Sequence, residues 1–168
     1  MKKTLQILNN LVTEGIIKEY AIAGGMAQFY FIEPSVTYDL DLIVNFGVDE
    51  KDLAPLHKLY DWANENNFKT EGEHIILGGI PVQFLSAYNN LISEALDKRL
   101  QIDLFEEKTF ILGPEYLMAI MLQTGRPIDR ERLLRFLDEA NYDNDKFLDI
   151  LNRFDLLIKF KDFSKRLL

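Results

Sequence analysis

Cysteine is absent from this 168-residue chain, and histidine occurs only twice. The first absence excludes disulfides and thiolate-bound metals, and it fits a reducing compartment. His57 falls in a helical stretch and His74 opens a strand; they do not stand at metal-binding spacing, so neither is assigned chemistry. No apolar run approaches the length of a membrane span. Lys2 and Lys3 look like the start of a signal peptide, but Asn9, Asn10 and Glu14 interrupt the apolar segment that should follow. The protein is therefore expected in the cytoplasm, with no membrane partner. Positive charge is also scarce: 19 basic against 27 acidic residues leave a net charge of −8 and a pI near 4.8. That balance repels nucleic-acid backbones and argues against a broad duplex-binding surface, while leaving room for a local phosphate site.

What is present suffices for a folded core. Residues are 48% hydrophobic, repeats and low-complexity runs are missing, and the length suits one domain or one domain with a small helical extension. Thr4 to Lys18 carries Leu5, Leu8, Leu11, Val12 and Ile16 at helical spacing, and Asp49 to Asn67 does the same through Leu53, Leu56, Leu59, Tyr60 and Ala63. His74 to Leu77 and Ile80 to Leu85 flank Gly78-Gly79 as a hairpin. A helix is expected within Ser86 to Leu100, then short strands at Leu100 to Leu104 and Lys108 to Leu112. Gly113-Pro114-Glu115 starts a helix that is apolar nearly all round and ends at Gly125. Another helix runs from Arg126 through Ala140, and a single long one covers Asn144 to Leu168. The chain thus divides near Gly113, into an α/β core over 1–112 and a helical segment over 113–168 packed on it. The wide apolar stripe of the last helix either packs on the core or forms a homodimer or protein-partner surface.

The most informative stretch is Tyr20 to Phe46, YAIAGGMAQFYFIEPSVTYDLDLIVNF, which reads as strand, glycine turn, short helix, loop and strand. Tyr20 to Ala23 is a short apolar run stopping at Gly24-Gly25, and Met26 to Ile32 is a stubby helix ended by Pro34. From Tyr38 to Phe46 the alternation sets Asp39, Asp41 and Ile43 on one face and Leu40, Leu42 and Val44 on the other. Two carboxylates therefore stand side by side, their Cα atoms roughly 7 Å apart. Like charges so close repel unless a cation lies between them. A hard ion such as Mg²⁺ (or Mn²⁺), bound through one or two carboxylates plus substrate phosphates, would relieve that cost. The glycine turn opens a helix whose free N–H groups favour a phosphate, so phosphate and metal would meet at one place.

Gly24-Gly25, a spacer, and then Asp39-Leu40-Asp41-Leu42 resemble the signature of the DNA polymerase β-type nucleotidyltransferase superfamily: a Gly-Gly or Gly-Ser turn followed by an Asp-hydrophobic-Asp strand. The neighbourhood resembles its small prokaryotic members, related to abortive-infection nucleotidyltransferases and to minimal nucleotidyltransferases paired with toxins. The resemblance is clearest over Ala21 to Val44 and can be followed to about Leu137. It implies an α/β (α+β) fold, a nucleotidyltransferase-like mixed sheet flanked by helices with a C-terminal helical segment. It also implies that Asp39 and Asp41 hold Mg²⁺ or Mn²⁺, with an NTP as substrate bound near Gly24, Gly25 and Thr37.

Three departures from the pattern bear on activity. The family's third carboxylate comes from a strand after the crossover helix; the matching strand, Ile80 to Leu85, offers Gln83, a neutral ligand that cannot act as a base. Asp103 is the second candidate for that place. Related proteins often carry an Arg-x-Lys-Asp segment after the buried helix; Arg126 and Asp129 match it, but Ile128 stands where the lysine would be. Arg126, and after it Arg130, is expected to reach a nucleotide phosphate, the alternative being an ordinary charged helix start. Ser35 stands where an arginine often precedes the Thr-x-Asp-hydrophobic-Asp segment. The leading expectation is a metal-dependent enzyme transferring NMP from NTP to a hydroxyl of a small molecule, protein or RNA end, with Asp39, Asp41 and Gln83 at the catalytic centre. The alternative is a catalytically degenerate fold acting as a nucleotide-binding or toxin–antitoxin-type regulatory module.

Overall fold

The computed structural model describes residues 1–33, 37–47 and 55–165. Pro34 and Ser35, the acidic start expected for the crossover helix at Asp49 with Leu53, and the chain beyond Lys165 lie outside the described residues. In order, the elements are α1 (Lys2–Thr13), β1 (Glu19–Ile22), α2 (Gly24–Phe31), β2 (Leu40–Asn45), α3 (Pro55–Glu65), β3 (Thr70–Glu71), β4 (His74–Leu77) and β5 (Ile80–Ser86). They continue with α4 (Asn90–Asp97), β6 (Leu100–Leu104), β7 (Glu107–Ile111), α5 (Pro114–Thr124), α6 (Pro127–Glu139), α7 (Asn144–Arg153) and α8 (Leu157–Lys165).

The described strands form one seven-stranded mixed sheet in the order β3-β4-β5-β2-β1-β7-β6. β2 lies inside it, antiparallel to β1 and parallel to β5. An interior strand is covered on both faces, and after Asp41 the alternation expected for β2 gives way to continuous burial: Leu42, Ile43 and Val44 are all in the core. β1 meets β7 in parallel at Ile22 and Ile111. The α1 leucines Leu5, Leu8 and Leu11 are fully buried, and that helix packs on β4 and β7. α2 and α4 pack against β2, while α5 contacts α2, α4, α6 and α7. Among the described residues no helix is long and apolar enough to cross a membrane.

Two helix ends depart from the sequence expectation for one reason. The first helix was expected to reach Lys18 but stops at Thr13, where Gly15 takes φ +71° and the N–H groups of Gly15 and Ile16 bond back to Val12 and Leu11. The long C-terminal helix is in fact two: Asp155 takes φ +57°, and the N–H groups of Asp155 and Leu156 bond back to Asn152 and Leu151. Both are Schellman stops, which satisfy the last carbonyls and turn the chain. At both stops the apolar spacing runs on past the turn, through Ile16 in the first and Leu157 in the second, so the pattern looks continuous although Gly15 and Asp155 enter the left-handed region.

Candidate active site

The site is built where α2 begins against β2. Gly24 has φ +56°, and a Cβ there would overlap the Asp41 carboxylate. At Gly25 a Cβ would come within 2.8 Å of the Thr37 hydroxyl oxygen. Both glycines are thus needed for close approach, and Gly24 also for its backbone conformation. The Ala23 N–H donates to the Asp41 carbonyl at 2.8 Å, fixing the start of α2 to the strand that carries the acid. The first N–H groups of α2 have no intrahelical acceptor, because its ladder opens with Ala27 donating to Ala23.

Asp39 lies just ahead of β2. Its Oδ1 accepts the Thr37 hydroxyl at 3.0 Å, and its Oδ2 is 3.8 Å from His74 Nε2. The strand register then makes a row: Asp41 pairs with Gln83 across β2 and β5, and Gln83 pairs with His74 across β5 and β4. Paired residues share a face of the sheet, so the two acids, the glutamine and the histidine stand together. Gln83 thus occupies the place beside Asp41, and its Nε2 donates to Glu73 Oε2 at 2.7 Å. Asp103 does not join the site. It lies on the edge strand β6 opposite Lys108, with β1 and β7 between it and β2.

Asp41 feels its surroundings most. Burial raises its carboxyl above the ordinary range and the charge of Asp39 adds to this, while Arg132, His74 and Arg126 pull the other way. The neighbouring cleft, about 460 Å³, is lined by Thr37, Tyr38, Asp39, Glu71, His74, Pro81 and Arg132. Two of these carry interactions that sequence spacing did not reveal. His74 joins Asp39 only through strand register, and Arg132 arrives on α6 from far along the chain.

Arg126 forms a fork on Asp129, Nε to Oδ2 at 2.7 Å and a terminal guanidinium nitrogen to Oδ1 at 3.1 Å. Asp129 is 2% exposed and also accepts the Thr124 hydroxyl at 2.8 Å. Burial acts to raise this carboxyl, yet the bonds from Arg126 and Thr124 outweigh it and hold it below the ordinary range. Arg130 donates to the Gly125 carbonyl at 3.1 Å. Arg126 and Arg130 are thus both engaged by groups at the start of α6.

Asp39 and Asp41 offer hard oxygen donors whose mutual repulsion a cation would relieve, so they fit Mg²⁺ or Mn²⁺. Among the described residues no group of three or more His, Cys, Asp or Glu is arranged to hold a metal ion. The fit is consequently to an ion that takes its remaining oxygens from phosphate and water, rather than to an all-protein cage.

A search of solved structures finds the crystal structure of an antigenic nucleotidyltransferase-like protein from Paracoccidioides brasiliensis, with a TM-score of 0.57 and 15% identity over 98% of this chain and 91% of that one. No protein-family model and no curated protein matches the chain. At this identity the likeness shows the fold alone: a mixed α/β sheet with C-terminal helices, as in a nucleotidyltransferase-like protein.

Proposed function

We propose that the chain is a metal-dependent nucleotidyltransferase of the small prokaryotic type, moving a nucleoside monophosphate from an NTP to a hydroxyl of a small molecule, a protein or an RNA end. The observation that carries this reading is the fit of Gly24 against the Asp41 carboxylate, with Asp39 two residues before it. Free N–H groups and two carboxylates converge there, which suits a triphosphate bound together with a divalent cation. Asp39 and Asp41 would hold the Mg²⁺ or Mn²⁺, which when bound would supply neutralisation of triphosphate charge and a lowered pKa of the acceptor hydroxyl.

The chain's own residues divide the remaining work. The Gly24 and Gly25 amides orient phosphate oxygens, and the Thr37 hydroxyl keeps the Asp39 carboxylate in place. Gln83, its NH₂ engaged by Glu73, keeps its amide oxygen as a neutral acceptor. In the transfer the acceptor oxygen bonds to the α-phosphorus as the bond to the β-phosphate bridge breaks. Pyrophosphate leaves with that electron pair, and the acceptor proton passes to water.

The test is incubation with α-labelled and γ-labelled NTPs, Mg²⁺ or Mn²⁺, and cell extract. Label moving to an acceptor from the α position, with γ-label released as pyrophosphate, is the expected result. The neutral amide of Gln83 opposite Asp41, where the resembled pattern carries a carboxylate, favours a second reading, a catalytically degenerate binding or toxin–antitoxin-type module. Saturable, metal-dependent NTP binding without transfer would select it.

A further inference from the structure

We propose that Arg132, rather than Arg126, is the cation that grips the polyphosphate of the bound nucleotide; the identity of that ligand rests on the nucleotidyltransferase reading above. Six arginines fall among the described residues, and five are committed. Arg99 pairs with Glu19, Arg126 with Asp129, Arg135 with Glu139 and Arg153 with Glu94 and Asp149, while Arg130 bonds the Gly125 carbonyl. Arg132 alone has no hydrogen-bond or ion-pair partner among the described residues, although it is partly buried and lines the cleft with Thr37, Asp39 and His74.

A guanidinium drawn partly out of water with its donors uncommitted is suited to bidentate contact with phosphate oxygens. Its place is set by the body of α6 and not by a loop, which favours a preorganised contact. Arg126 is poorly placed for the same task. Both arms of its fork are spent on Asp129, and releasing them would strand a carboxylate that is 2% exposed. The cleft then has carboxylates on β2 and its approach for a metal, and a guanidinium on α6 for the phosphate charge that the metal leaves unbalanced.

The experiment measures binding of inorganic tripolyphosphate and of ATP by calorimetry, with Mg²⁺ and again in EDTA. The proteins are the full chain and its Arg132→Gln, Arg132→Lys and Arg126→Gln variants, with melting temperatures recorded for each. Arg132→Gln should weaken both ligands about tenfold or more in either condition, the scale of one lost charge-assisted contact, and Arg132→Lys should keep part of the affinity. Arg126→Gln should lower the melting temperature more than Arg132→Gln does, yet change affinity less than about threefold. Wild-type affinity in Arg132→Gln, or no tripolyphosphate binding by the wild-type chain, overturns the proposal. Arg132-dependent tripolyphosphate binding without any α-label transfer sustains it and removes the nucleotidyl-transfer reading. Transfer that proceeds with Arg132-independent binding does the reverse.

Discussion

Asp41 is raised by burial and by Asp39, so its ionisation weakens the metal-free fold. A carboxyl raised in the folded state contributes stability that is full below its unfolded value, near 3.8, and is lost as pH climbs through the folded value. In EDTA at pH 7, Asp41→Asn should therefore hold or raise the melting temperature, with no gain below about pH 3.8. The same variant should abolish α-label transfer; intact transfer would remove Asp41 from the chemistry. Gln83→Glu should lose the bond to Glu73 and add a third acid beside Asp41, costing about 1 kcal/mol by urea unfolding in EDTA. Mg²⁺ should restore that loss if position 83 shares a cation with the two aspartates. An unrestored loss would detach it from the metal. The Gly24, Asp39, Asp41 and Gln83 constellation was legible in the sequence because it depends on short-range spacing and on strand order. His74 and Arg132 were not legible, since register and helix packing bring them in from other parts of the chain.

Several elements were read correctly where glycine or proline punctuates them, the stop at Gly15 being an exception. The Gly78-Gly79 hairpin, Pro114 at the first turn of α5 and Gly125 in the left-handed region at its end all stand where the residues indicate. The break between α7 and α8 was missed because the apolar spacing runs on through Phe154 and Leu157, while the stop is made by an aspartate. The two descriptions predict opposite signs for one substitution. Asp155→Gly should stabilise by about 0.5–1 kcal/mol, as glycine enters φ +57° freely, whereas in a continuous helix it would destabilise by a similar amount. Urea unfolding decides between them.

Across the whole molecule, burial is uneven. β2 is paired on both sides and carries fully buried Leu40 and Leu42, whereas α8 has no buried residue, its Phe160 leaning edge-on against Phe147. Amides of α8 should exchange with solvent deuterium faster than those of β2 by about two orders of magnitude or more; equal protection would mean that α8 is held by more than its visible packing. The parallel meeting of Ile22 with Ile111 has a consequence for synthesis. One side of β1 is joined by β2 early, but the other must wait until the ribosome has delivered β7. Until then the nascent chain presents Tyr20 to Ile22 as an open, sticky ribbon, and unfinished copies on one polysome are most exposed to mutual capture in that interval.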